Sequence, residues 1–182
     1  MEPATWASNE HLDPVHLNSR IRDANTSLSR PPYGILANAP NYTFTSDGTP
    51  QEMRFSDAWS SRMATLTSGA IKRGFKVAED GLYDIDLCIS AQIDGGSPDS
   101  HLNAFVAVNG ALAARGIFTA RHGYTQSAYV KRMFFLRAGD EVTARVFTDT
   151  GRVAKFGFSA ATLQGCRMTI RRIGANPAFR WA

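Results

Sequence analysis

Gly81-Leu82-Tyr83-Asp84-Ile85-Asp86-Leu87-Cys88-Ile89-Ser90-Ala91-Gln92-Ile93 decides the fold class. Tyr83, Ile85, Leu87, Ile89 and Ala91 fall on one side of an extended chain, and Asp84, Asp86, Cys88 and Ser90 on the other. Alternation sustained over this length means a strand with one face in a core. The run opens straight after an Asp80-Gly81 turn. Further along, Val106-Ala107-Val108 runs into Asn109-Gly110, a pair suited to a two-residue hairpin turn with positive φ. Phe135-Leu136-Arg137-Ala138-Gly139-Asp140-Glu141-Val142 reads as strand, turn and strand, and residues 163–173 make a last alternating run. Strands are predicted at 34–37, 52–55, 75–77, 81–93, 102–108, 111–119, 127–136, 141–148 and 163–173. Clusters of Gly, Asn, Asp, Ser and Pro separate them. This is the pattern of a mainly β sandwich or barrel.

The totals fit one such domain. A chain of 182 residues has room for one core, and a domain of that size buries roughly 70% of its unfolded surface. A hydrophobic fraction of 43% excludes global disorder. The net charge is +4, mostly from arginine, with lysine only at Lys72, Lys76, Lys131 and Lys155. These cations are scattered among acids, so the stripe that nucleic acid needs is missing. No apolar run is long enough to cross a bilayer, and residues 1–10 lack a basic segment followed by an apolar one. The expectation is a soluble chain made in a cytoplasm, with no nucleic acid partner and no membrane insertion.

Three regions differ in texture. Residues 1–32 form an arm. Asp13 caps and Pro14 starts a helix expected over about 14–29. Leu17, Ile21, Ala24 and Leu28 make a narrow apolar stripe along it, and Pro31-Pro32 stops it. One short helix with such a stripe is marginal in water and must dock on something. Residues 33–174 are the β head. Residues 175–182 are a tail carrying Phe179 and Trp181, which either fold back onto the domain or hook a neighbouring subunit.

No catalytic set emerges, and the expectation is a protein without enzymatic activity, cofactor or metal. His11 and His16 sit in the arm without partners at metal-ligand spacing, and His101 and His122 fall in predicted loops. Residues 94–100, Asp-Gly-Gly-Ser-Pro-Asp-Ser, offer oxygen ligands but not the spacing of the common calcium loop. They read as a polar connection. Ser127, His122 and Asp140 have the side chains of a hydrolytic triad without a Gly-x-Ser-x-Gly turn. Asp84 and Asp86 read as polar surface or an inter-subunit contact. Cys88 and Cys166 lie in separate predicted strands. A disulfide is geometrically open to them, and a cytosolic origin favours two buried thiols.

The head resembles the jelly-roll domain of the tumour necrosis factor and complement-head superfamily. The matching elements are Gly81-Leu82-Tyr83, Val108-Asn109-Gly110, Leu136-Arg137-Ala138-Gly139-Asp140-Glu141-Val142 and the closing strand ending at Ile173. Heads of that kind usually close on a Phe-Ser-Gly strand; here Phe158-Ser159-Ala160 comes earlier. The resemblance implies a homotrimer that binds other molecules and does no chemistry.

The arm is similar to the start of structural proteins of tailed bacteriophages, on Thr5-Trp6, Leu17-Asn18, Ile21-Arg22-Asp23, Leu28 and Pro31-Pro32. Together the two resemblances imply a virion protein, assembled in the host cytoplasm, whose trimeric head is attached to the particle by the arm. Trp6, Leu17, Asn18, Ile21 and Leu28 are the anchoring residues this implies. A minor tail protein or tail fibre and a capsid decoration (cement) protein are both open. A secreted complement-like binding module is the remoter reading. The partners implied are other virion proteins, of tail or capsid, and a host cell-surface glycan or protein. The loops at 94–100 and 120–125, with Arg121, His122 and Tyr124, are the surface-contact candidates. They meet either the host or neighbours within the particle.

Overall fold

The computed structural model describes residues 31–94, 100–120, 125–149, 151–156 and 165–174. Most of the arm, with its expected helix, and the tail at 175–182 lie outside these residues. The described chain holds thirteen strands: β1 (Tyr33–Ala37), β2 (Tyr42–Thr45), β3 (Gln51–Glu52), β4 (Asp57–Ser61), β5 (Ala64–Ser68), β6 (Ile71–Lys76), β7 (Gly81–Asp94), β8 (Ser100–Val108), β9 (Ala111–Ala120), β10 (Thr125–Leu136), β11 (Glu141–Thr148), β12 (Val153–Phe156) and β13 (Arg167–Gly174). All pair antiparallel, in two sheets.

The decisive stretch becomes β7, the longest strand and the spine of the first sheet. One edge of β7 pairs with β10 throughout, from Thr125↔Gln92 to Leu136↔Gly81. The other edge is shared: β13 takes its beginning and β12 its end. Beyond β13 come β1 and β4, and beyond β12 comes β2. The second sheet runs β5-β6-β11-β8-β9, with β3 beside β11. As expected from alternation, Tyr83, Ile85, Leu87, Ile89 and Ala91 are fully buried between the sheets. Phe55, Phe75 and Phe156 fill the same core. The Tyr83 hydroxyl donates to the Glu79 carbonyl at 2.8 Å, and burial pushes its phenol up to about 12.

The Asn109-Gly110 turn forms with positive φ at both residues, 50° and 82°, as the hairpin requires. β9 and β10 stack at one flank of the sandwich, each pairing along one edge only among the described residues. Gly116 makes that stacking feasible: a Cβ there would lie 2.0 Å from the Tyr129 carbonyl oxygen.

Several expectations need correction. His101 lies in β8 and not in a loop. Cys166 precedes β13, and the run expected from 163 becomes a strand only from Arg167. Cys88 is half-buried on the outer side of the first sheet, so only Cys166 behaves as a core thiol; both are free. The expected strand at 52–55 is a two-residue β3 followed by a lone bridge at Phe55. β2, β4, β5 and β12 were not anticipated.

Candidate interaction surface

The outward face of the first sheet is built by period two. On β7 it carries Leu82, Asp84, Asp86 and Cys88, opposite the core row. Register places Met133, Lys131 and Tyr129 of β10 beside Asp84, Asp86 and Cys88. On the other side it places Arg171, Thr169 and Arg167 of β13 beside the same three residues. Next come Tyr33 and Ile35 of β1, and Trp59 of β4 opposite Ile35. The face therefore has two apolar flanks, Tyr33/Ile35/Trp59 and Tyr129/Met133/Phe135, around a charged middle. Trp59 is 54% exposed, and Tyr129 and Met133 are 62% exposed each. Side chains of that size on one sheet face mark a surface that something covers.

The charged middle is mixed in sign. The Lys131 ammonium lies 3.9 Å from Asp84 Oδ2. Asp84 stands between Met133 and Arg171 in register, and Asp86 between Lys131 and Thr169. Above them the hydroxyls of Ser90 and Ser127 meet at 2.7 Å, both buried. Ser127 is thus used structurally. Asp140 lies at the opposite end of the sandwich, accepting from the Arg137 amide and from Asn109 Nδ2. The two described members of the supposed triad are nowhere near each other. Cys166 lies beneath this face, its Sγ donating to the Ser90 carbonyl at 3.2 Å, and burial pushes the thiol up to about 12. Among the described residues no group of His, Cys, Asp and Glu could hold a metal ion. No helix there is long and apolar enough to cross a membrane.

The predicted anchoring residues, Trp6, Leu17, Asn18, Ile21 and Leu28, lie outside the described residues, as do Arg121, His122 and Tyr124. The ends of the strands around them are described. Tyr33 and Gly174 both lie at the Gly81 end of β7. Asp94, Ser100, Ala120 and Thr125, which flank residues 95–99 and 121–124, lie at the other end. The chain therefore enters and leaves the head at one pole, and both contact segments start from the opposite pole. The apolar flanks of the first sheet went unnoticed in the sequence. One signal was present: Val130, Leu136, Tyr129, Met133 and Phe135 put large apolar groups on both faces of β10, the mark of a strand covered on both sides.

No protein-family model matches the chain, and no curated protein matches it. Solved structures do match. The structure of Eiger TNF from S. frugiperda superposes with a TM-score of 0.56 at 12% identity, covering 81% of this chain and 96% of that one. Murine APRIL at pH 5.0 gives a TM-score of 0.48 at 15% identity, covering 78% of this chain and 99% of that one. The fold is a TNF-like jelly roll. At such identity the likeness establishes architecture alone.

Proposed function

We propose that this TNF-like head is the assembling part of a virion structural protein of a tailed bacteriophage. In this reading it is a homotrimer, attached to the particle through residues 1–32 and doing no chemistry. The observation that carries the assembly is the first sheet's outward face. Its two apolar flanks are different surfaces, and the outer edge of β10 beside one of them has no strand partner among the described residues. A long unpaired edge and a large apolar face are both liabilities in a lone molecule. Two unlike patches join head to tail, and such contacts close into a ring when the rotation from copy to copy closes on itself. In this reading the β10 flank of one copy, Tyr129, Met133 and Phe135, packs against Tyr33, Ile35 and Trp59 of the next. Three copies is the number the sequence resemblance implies.

The virion role rests on the arm's resemblance and on the polarity of the head. With Tyr33 and Gly174 at one pole, an arm attached to a particle turns the opposite pole, that of Asp94, Ser100, Ala120 and Thr125, outwards, toward a host-surface glycan or protein. Light scattering on the full chain tests the assembly: a mass about three times 19.9 kDa is expected, and a monomer at micromolar concentration overturns it. Mass spectrometry of purified particles tests the role. A few copies per virion support a minor tail protein or fibre, hundreds support capsid decoration, and absence refutes the virion reading.

A further inference from the structure

The methionines divide into two kinds. Met1 lies outside the described residues. Met53 and Met168 are fully buried, Met63 is 7% exposed, and all three belong to the core. Met133 is 62% exposed. It stands on the outward row of β10 between Lys131 and Phe135, with Asp84 opposite it in register. The core asks nothing of that position, so the pliable side chain that fills gaps in an interior has no packing reason to be there. A thioether also has no proton to lose, so its sulfur is ready to react with a peroxide at neutral pH, and access decides which methionine reacts first.

The consequence depends on where the sulfur sits. In the proposed contact Met133 of one copy meets Tyr33, Ile35 and Trp59 of the next. A thioether against aromatic rings is a favourable pairing. A sulfoxide is polar, and burying its oxygen among those side chains without a hydrogen-bond donor opposes association.

We propose that Met133 is a reversible oxidation site for peroxides, and that its oxidation state decides whether copies of the chain join. The sulfur lone pair attacks one peroxide oxygen and the O–O bond breaks. That oxygen stays on sulfur, and the other leaves with its hydrogen and takes up a proton as water. Sulfur is oxidised by two electrons and the peroxide is reduced. A sulfoxide reductase with a dithiol reverses the step. The site follows from exposure alone, and its effect on assembly rests on the head-to-tail contact proposed above. Joining covers the sulfur, so oxidation acts on the unassembled chain and holds it unassembled.

Dilute hydrogen peroxide tests both parts. On the folded Trp59→Asp chain, whose β10 flank stays open, peptide mass spectrometry should find oxygen on Met133 at least about a hundredfold faster than on Met53, Met63 or Met168. Similar rates at all four overturn the site. The parent chain is then oxidised to completion at Met133, freed of peroxide with catalase and sized by light scattering beside untreated parent. The oxidised chain should associate at least about tenfold more weakly, with an unchanged thermal melt. Methionine sulfoxide reductase with dithiothreitol should restore the parent mass. Met133→Leu has no sulfur to oxidise there and should keep its assembly through the same treatment. Dissociation of treated Met133→Leu would assign the effect to another side chain and overturn the switch. So would an oxidised parent that assembles as tightly as the untreated one. An untreated parent that is already a monomer overturns the head-to-tail contact and the switch with it, and the peptide map still decides the site.

Discussion

The two sheets solve the same problem of alternation with opposite outer faces. Both bury an apolar row against the shared core. Outside, the first sheet sets large apolar side chains on both flanks of a charged strip, spread over β4, β1 and β10. The second sheet sets Glu52, Arg145, Phe105 and Arg115 in one row across β3, β11, β8 and β9. Its exposed apolar groups, Leu112 and Ile117, sit only on the edge strand β9. Since the core asks nothing of either outer face, the difference reflects what each face meets. The first face has the composition of an interface that loses water, the second that of a wetted, charged surface.

That contrast breaks most cleanly if one flank of the first sheet is given the second sheet's character. Trp59→Asp and Met133→Asp, made separately, should each convert the full chain to monomer and weaken association at least about a hundredfold. Circular dichroism should be unchanged, because both side chains point away from the core. In a head-to-tail ring each variant keeps one good flank. Mixing the two should therefore restore a single competent contact and give a dimer of unlike chains, but no larger species. If the mixture stays monomeric, the two flanks are not each other's partners. An Asp placed at Ile117 on the second sheet's outer side is the control for apolar loss as such, and should weaken assembly far less.

The flank where β9 meets β10 gives the next largest effect. Gly116→Ala puts a methyl group into the Tyr129 carbonyl, and neither backbone can yield without parting the strands. A cost of about 3 kcal/mol is expected, lowering the melting temperature by about 6–12 °C for a domain of this size. Because Tyr129 belongs to the face proposed as the contact, assembly should weaken with it. A melting temperature within 2 °C of the parent (~0.5 kcal/mol) would mean the flank is looser than its geometry indicates.

What was legible in the sequence follows the same division. β7, β8, β10 and β11 were readable because one face of each is mostly apolar, so period two stands out. The Asn109-Gly110 hairpin was readable because its backbone demands those residues. β4 and β5 were hidden: Asp-Ala-Trp-Ser-Ser and Ala-Thr-Leu-Thr-Ser bury little, and pairing alone makes them strands. The apolar flanks were hidden for another reason. Tyr33, Trp59 and Met133 are far apart in the chain, and only the register of β4, β1, β13, β7 and β10 puts them on one face. The Glu52–Arg73 ion pair likewise depends on β11 changing partner from β6 to β3, which no local pattern announces.

At the pole where the chain enters and leaves, a smaller effect separates stability from assembly. Glu79 accepts from Arg172 Nη1 at 2.6 Å and pairs with Arg62 of the β4–β5 turn, tying that turn to β13. Arg172 is 10% exposed, so its charge is costly to leave without a carboxylate, while Arg62 is open enough for water to screen it. Glu79→Gln should cost about 1–2 kcal/mol in denaturant unfolding, with the oligomeric mass unchanged. Lys131→Ala should change stability by less than about 0.5 kcal/mol, since its ammonium is largely exposed and 3.9 Å from Asp84. If Glu79→Gln instead disperses the assembly, the covered surface reaches this pole and is larger than the sheet face.

The smallest effect is a rate and leaves stability untouched. Cys166 is buried with its thiol pushed up to about 12, because burial favours the neutral form. At pH 8 only about one molecule in ten thousand then carries the reactive thiolate. Raising the pH toward 12 would be needed to populate it. Cys88 sits on the outward face between Tyr129 and Arg167, half-buried in the single chain. A thiol reagent at pH 8 should therefore modify one cysteine per folded Trp59→Asp chain quickly, and the second only on unfolding. In the parent protein Cys88 lies between the two flanks that the proposed ring would cover, and its modification should then slow at least about tenfold. Equal rates in the parent and in Trp59→Asp would confine the contact to the flanks. The charged strip of Asp84, Asp86, Arg167 and Arg171 would then line a solvent-filled gap between copies.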